Sequence, residues 1–256
     1  MKKILFLVLF IAMELFAETK MEYEISFVSN AMDYREYDKN NEILDSESSD
    51  LSEMLGVEFK YRFYFKDSSH IELSALGVSG DTKYKGSYFG SGDPYGSLVS
   101  TTKNDIYNIA LFYKMENETS FERVKMHAGL GIGYKFWQRE LQKTQIEQYY
   151  WYSLRANVGI SYNLGALVSM LEFEYQYGID PQMSATGFSE DFDLGGANIM
   201  LISIPLRYEV SKNLDLLCAY NYEYQIIDAS NSIDGAYEPD STAKNHYLKF
   251  GVIFKY

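Results

Sequence analysis

Three histidines, His70, His127 and His246, are the side chains here whose ordinary titration lies near neutrality, so they are the first candidates for proton transfer. A histidine base works in company, because an Asp, Glu or Ser must stand at hydrogen-bond distance to orient it or be activated by it. None of the three sits in a sequence motif that supplies such a partner. A second candidate is the run Gly-Leu-Gly-Ile-Gly at 129–133. A phosphate-binding glycine loop needs a strand before it and a helix after it. Alternate apolar residues instead continue to Phe136, so Gly129, Gly131 and Gly133 read as room for large neighbouring side chains, or as strand curvature. A third candidate is acidic. Asp33, Glu36, Asp38, Glu42, Asp45, Glu47, Asp50 and Glu53 form one group, Asp180, Glu190, Asp191 and Asp193 a second, and Asp228, Asp234, Glu238 and Asp240 a third. Such oxygens suit divalent cations, which become a candidate partner. Ser189-Glu-Asp-Phe-Asp-Leu-Gly195 lacks the spacing of a calcium loop, however, and solvated surface segments are the plainer reading. Nothing in the sequence asks for a cofactor.

The elements that hold these residues are strands. From Leu55 to Lys66 the residues Leu55, Val57, Phe59, Tyr61, Phe63 and Phe65 fall on one face, and Glu58, Lys60 and Arg62 on the other. A helix would scatter both sets around its axis. The same alternation recurs around Ile25, Leu73, Leu111, Ile132, Val158, Phe173, Ile204, Tyr220 and Phe250. The expectation is an all-β, closed, antiparallel up-and-down transmembrane barrel of about ten strands, within a range of roughly eight to twelve. Short connections (66–69, 115–120, 163–166, 211–213) alternate with long ones (33–53, 80–103, 138–148, 180–198, 228–245), which puts both chain ends and all short turns on one side. The polar faces then define a lumen network of Glu58, Lys60, Arg62, Glu72, Lys125, His127, Arg155, Glu172, Glu174, Arg207 and Glu209, with Arg155 and Arg207 flanking Glu172 and Glu174. Charges in a narrow interior must be paired, so the network reads as a brace that fills the barrel, or otherwise as a channel lining. Proline lacks a ladder donor, so Pro205 inside the eighth strand predicts a bulge, while Pro94, Pro181 and Pro239 fall in the long connections.

Composition narrows the partners. A formal charge of −13 excludes a nucleic-acid surface, and the single cysteine, Cys218, excludes an internal disulfide. Residues 1–17, with Lys2 and Lys3 before an apolar run ending at Ala17, read as a secretory signal peptide, leaving 18–256 as the barrel. That run is too short to cross a bilayer as a helix, so a mature protein that spans a membrane must do so with strands. A soluble barrel would alternate as well, with its apolar face inside. The charged polar face and the aromatic residues near strand ends favour the membrane form.

The last segment, His246 to Tyr256, resembles the closing strand of bacterial outer-membrane β-barrel proteins, which commonly end on an aromatic preceded by apolar residues at alternate positions. Leu248, Phe250, Val252, Phe254 and Tyr256 hold those places here. The resemblance implies location in the outer membrane of a Gram-negative bacterium, lipid and lipopolysaccharide as surroundings, and recognition by the barrel-assembly machinery. Three functional expectations follow: a structural or surface-interaction barrel with a largely filled polar lumen, a small cation-preferring porin-like channel, or a surface enzyme of omptin or lipid A-modifying type. The enzyme reading is the least favoured, because only His246 lies near the external rim and its phase points outward.

Overall fold

The computed structural model describes residues 20–65, 68–87, 93–142 and 145–256; the expected signal peptide lies outside them. Eleven antiparallel strands form one sheet: β1 Met21–Tyr37, β2 Ile43–Ser48, β3 Met54–Tyr64, β4 Ser69–Gly86, β5 Leu98–Glu118, β6 Val124–Gln142, β7 Gln145–Leu164, β8 Leu167–Ala185, β9 Phe192–Ser211, β10 Leu214–Ser230 and β11 Asp240–Lys255. Strand β1 pairs with β11 from Glu22↔Lys255 to Tyr37↔Asp240, which closes the sheet. Strands β2 and β3 both lie between β1 and β4, one above the other, so they share one place in the wall and the barrel has ten staves. The backbones of Met21 and Tyr256 bond to each other in both directions, at 3.0 and 2.9 Å, on the side of the short turns. The two-residue turn between β7 and β8 has Gly165 at φ 81°, and the Asn163 side chain accepts the Gly165 N–H at 2.9 Å.

The side-chain period of two sends one set of residues outward and the other inward. The outward set is apolar across the short-turn half of the wall. On β5 it runs Tyr107, Ile109, Leu111, Tyr113, Met115, and on β9 Met200, Ile202, Ile204, Leu206, Tyr208, Val210, every one of them exposed. Nine to eleven residues per strand is what a tilted membrane crossing requires. Apolar side chains therefore face away from the barrel and charged ones into it, the reverse of a soluble barrel. Among the described residues no helix is long and apolar enough to cross a membrane.

The long connections differ from expectation. Strands other than β2 and β3 are 16 to 21 residues long, about twice a membrane crossing. Much of 33–53, 80–103, 138–148, 180–198 and 228–245 continues the ladders beyond the apolar belt instead of looping. Polar residues stand on both faces there, as with outward Lys103 and Asp105, and this hid the strand period. Pro181 consequently lies within β8, where the β8–β9 ladder is open between Tyr177↔Asn198 and Gln182↔Asp193. No bulge forms at Pro205. It stays in register opposite Ala219 on β10, and the β8–β9 ladder instead skips the pairs between Ser169↔Leu206 and Glu172↔Ser203.

Candidate functional site

The interior is layered. At the short-turn end it is ionic. Arg62 on β3 reaches Glu24 at 2.7 Å and Glu72 at 2.6 Å, and Glu72 also receives Lys114 at 2.9 Å. Lys249 donates to Glu58 at 2.9 Å, and Arg207 to Asp215 at 2.9 Å and Glu22 at 3.3 Å. Buried charges persist only when paired in this way, because desolvation of a lone one is costly. His127 meets Glu172 at 2.8 Å, and His70 lies against the Tyr64 ring with centroids 4.7 Å apart. The groups leave a polar cavity of about 80 Å³ bounded by Lys60, His70, Glu72, Lys114 and Arg207, and above it another of about 70 Å³ bounded by Asn108, Arg155, Asn157, Glu174 and Gln176. Asn157 Oδ1 and Gln176 Oε1, both buried beside the upper cavity, lack a partner among the described residues. Polar spaces of that size hold a few ordered waters.

The glycines on β6 make this filling fit. A Cβ at Gly131 would stand 2.6 Å from the Phe112 ring and 2.7 Å from the Leu111 carbonyl. One at Gly129 would stand 2.6 Å from Lys114 Cγ, and one at Gly133 would occupy the place of the Arg155 guanidinium. The run is thus a row of recesses for three large lumenal side chains, with no helix following it.

Above the charged layers the inward face turns apolar and aromatic. Val28, Met32, Met54, Ile106, Trp137, Tyr149, Trp151, Met183, Phe192, Ile199 and Tyr247 meet across the barrel, each no more than 3% exposed. The chain's two tryptophans both belong to this layer. Trp137 stacks on Tyr149 at 5.1 Å, meets Tyr34 edge-on at 5.1 Å, and donates to Asn104 Oδ1 at 2.8 Å. Lying against it, on the strand extensions beyond the belt, is Arg139, fully buried. Its guanidinium pairs at 2.8 Å with each of Glu36 on β1, Glu47 on β2 and Glu147 on β7, donates to the Tyr149 hydroxyl at 3.1 Å, and covers the Tyr34 ring at 4.3 Å. Glu238 accepts from Tyr149 at 2.5 Å, and Asp45 accepts from Tyr84 at 3.3 Å. Five carboxyl groups thus surround one guanidinium. Burial, reinforced by the nearby Glu36 charge, pushes Asp45 and Glu238 well above the usual carboxylate range. Burial raises Glu147 as well, against the pull of Arg139. Tyr34 and Tyr149 are raised by burial and stay protonated. Burial opposes the Arg139 charge, and the tyrosines and carboxylates around it more than restore it.

The residues expected in the lumen take these places. Glu58, Lys60, Arg62, Glu72, His127, Glu172 and Glu174 belong to the ionic network. Lys125 and Glu209 stand at the short-turn rim, exposed. The expected flanking is formed on one side only, between Arg155 and Glu174. Arg155 lies 3.6 Å from Glu174 and is otherwise held by Asn108 and Ser153, while Arg207 binds Glu22 and Asp215 instead of Glu172 or Glu174. Glu36, Asp45, Glu47 and Glu238 were expected in solvated loops and are buried. The signal for Glu36 was its phase: Glu22, Glu24, Ser26, Val28, Asn30, Met32, Tyr34 and Glu36 all point inward along β1. Arg139 likewise follows Lys135 and Trp137 in phase. His246 faces outward, its Nδ1 2.7 Å from the Tyr220 hydroxyl. Among the described residues no group of three or more His, Cys, Asp or Glu is arranged to hold a metal ion.

Among solved structures the chain is similar to the outer membrane protease OmpT from Escherichia coli, with a TM-score of 0.54 and 9% identity over 93% of this chain and 97% of that one. The fold is that of the bacterial outer-membrane β-barrels. The translocator domain of the autotransporter NalP from Neisseria meningitidis follows at a TM-score of 0.45, with 8% identity over 91% of this chain and 88% of that one. OprG from Pseudomonas aeruginosa has a TM-score of 0.41, with 10% identity over 93% and 95%. No family model matches the chain, and neither does any curated protein sequence. Fold and outward apolar belt together make this an integral outer-membrane protein.

Proposed function

We propose that the protein is a non-conducting outer-membrane barrel, capped at its external end, which serves as a structural envelope component and presents a raised β-wall with acidic turns to the exterior. The observation that carries this is the stack of the Trp137–Trp151 layer and the Arg139 cluster across the barrel. An ion leaving the lower cavities would have to cross a packed apolar layer and a buried ion-pair cluster, both costly to breach. Against the enzyme reading stands the placing of the histidines: two lie in the lower lumen, and His246 faces the lipid side. Lipid and lipopolysaccharide are the surroundings that the outward belt suits. The outward residues Leu248, Phe250, Val252 and Phe254 on the closing strand, with Tyr256 at the seam, are what the assembly machinery would read. Single-channel recording of the refolded mature protein tests the proposal, with folding checked by heat-modifiable gel mobility. A silent bilayer is expected; reproducible conductance steps at mildly acidic pH would sink the capped reading in favour of the small channel.

A further inference from the structure

The cap is unbalanced in charge, and the imbalance is enclosed. Facing it from β1 are Glu36 and the Tyr34 hydroxyl, from β2 Asp45 and Glu47, from β4 Tyr84, from β6 Arg139, from β7 Glu147 and Tyr149, and from the segment before β11 Glu238. Strand β5 offers only the neutral Asn104 and Thr102, and β8, β9 and β10 offer Met183, Phe192, Leu194 and Ile227. Arg139 is the cation that meets these acids among the described residues. Glu36, Glu47 and Glu147 take its charge-assisted bonds. Among the described residues Asp45 and Glu238 are left with tyrosine hydroxyls alone, and Asp45 Oδ1, in a side chain about nine-tenths buried, has no partner. A carboxylate without a counter-charge in such a place repels its neighbours strongly, because the surroundings screen little.

We propose that the cap is a proton-dependent lock, in which protons held on Asp45 and Glu238 keep the external end shut, and their loss as pH rises drives the cap apart and admits solvent to the tryptophan layer. The lock deepens the capped-lumen reading and rests on it. Direction follows from the environment: both groups hold their protons more tightly in the closed cap than in water, so the closed form is favoured at low pH and loses ground as pH rises through their range. Tyr34 and Tyr149 hold their protons too tightly to contribute below strongly alkaline pH. The two tryptophans lie in the layer directly beneath, so their fluorescence reports the cap without a label.

The test is acrylamide quenching of tryptophan fluorescence in the refolded mature protein in detergent micelles, from about pH 5 to about pH 9. Heat-modifiable mobility is followed in parallel, to show that the barrel itself stays folded. Wild type is expected to become at least about threefold more quenchable across the range, as the open population grows. The variant D45N/E238Q, which carries the neutral shape of both acids at every pH, is expected to stay protected. The single variants D45N and E238Q, each expected to halve the rise, decide the matter if the double variant does not fold. Quenching in wild type that does not change with pH, at any level, overturns the lock. So does an unchanged rise in the variants. Conductance at the acidic end with protected tryptophans would instead overturn the capped-lumen reading, and with it the lock that rests on it.

Discussion

Replacing Arg139 by Gln tests whether the cap is held by charge or merely filled. The guanidinium is fully buried and makes three ion pairs of 2.8 Å, to Glu36, Glu47 and Glu147. Gln offers two donors where Arg offers five, and no charge. The carboxylates left behind remain buried without a cation, for which the expected penalty is about 3–5 kcal/mol at neutral pH. Arg35 provides the comparison. It makes a two-pronged contact to Asp33 at 3.0 Å, but both side chains are about 40% exposed, at 42% and 40%. Solvent screens such a pair, and Arg35→Gln is expected to cost under about 1 kcal/mol. Urea titration of the refolded proteins, followed by tryptophan fluorescence, reads the difference where it arises, since both indoles lie beneath Arg139. The R139Q deficit is further expected to shrink as pH falls, because protonation neutralises the stranded acids. If R139Q unfolds at the same urea concentration as R35Q, the cluster is not braced by its charges and the account of the cap is wrong.

Other consequences can be measured separately. Leu130→Arg places a charge on the lipid face at a position 72% exposed and should cost about 2–4 kcal/mol in folding into lipid vesicles. Val99→Arg, 69% exposed but on the extension of β5 above the belt, should change it by under about 0.5 kcal/mol. Equal effects would place the belt wrongly. Gly131→Val would push a side chain into Phe112 and the Leu111 carbonyl, and a loss of about 1–3 kcal/mol in urea is expected; an unchanged midpoint would show that the recess is slack. The raised Glu238 carboxyl predicts that wild-type stability declines as pH climbs from the ordinary carboxylate range toward its folded value, whereas E238Q declines less; parallel curves would remove Glu238 from the balance.

The lipid-embedded half of the fold was legible because one face there is uniformly apolar. Tyr107, Ile109, Leu111, Tyr113 and Met115 announce a strand and its sidedness together. Beyond the belt both faces of a strand are wet or polar, the period of two loses its contrast, and Asp33 to Glu53 read as loop although β1 and β2 pair through about half of it. The lumen residues were legible as a set but not as pairs. Partners such as Arg207 and Glu22 are 185 residues apart and meet only because the ring closes through β1 and β11. Arg139 looked like one more charge near a turn. Its burial depends on Glu36, Glu47 and Glu147 converging from three staves, and no local pattern encodes that convergence.

The stave that β2 and β3 share divides the wall into two storeys. Between them residues 49–53 leave the ladder and rejoin it, tied by the Ser49 N–H to the Met32 carbonyl at 2.9 Å and by the Asp50 N–H to the Glu53 carboxylate at 2.7 Å. Strand β3 keeps its own register with β1 and β4 below that break, and β2 keeps another above it. Residues gained or lost at 49–53 would therefore leave both registers as they are, where the same change within an unbroken stave would turn every later side chain to the wrong face. This notch is where the barrel can lengthen, or accept a grafted segment, while its lipid-embedded storey goes on folding as before.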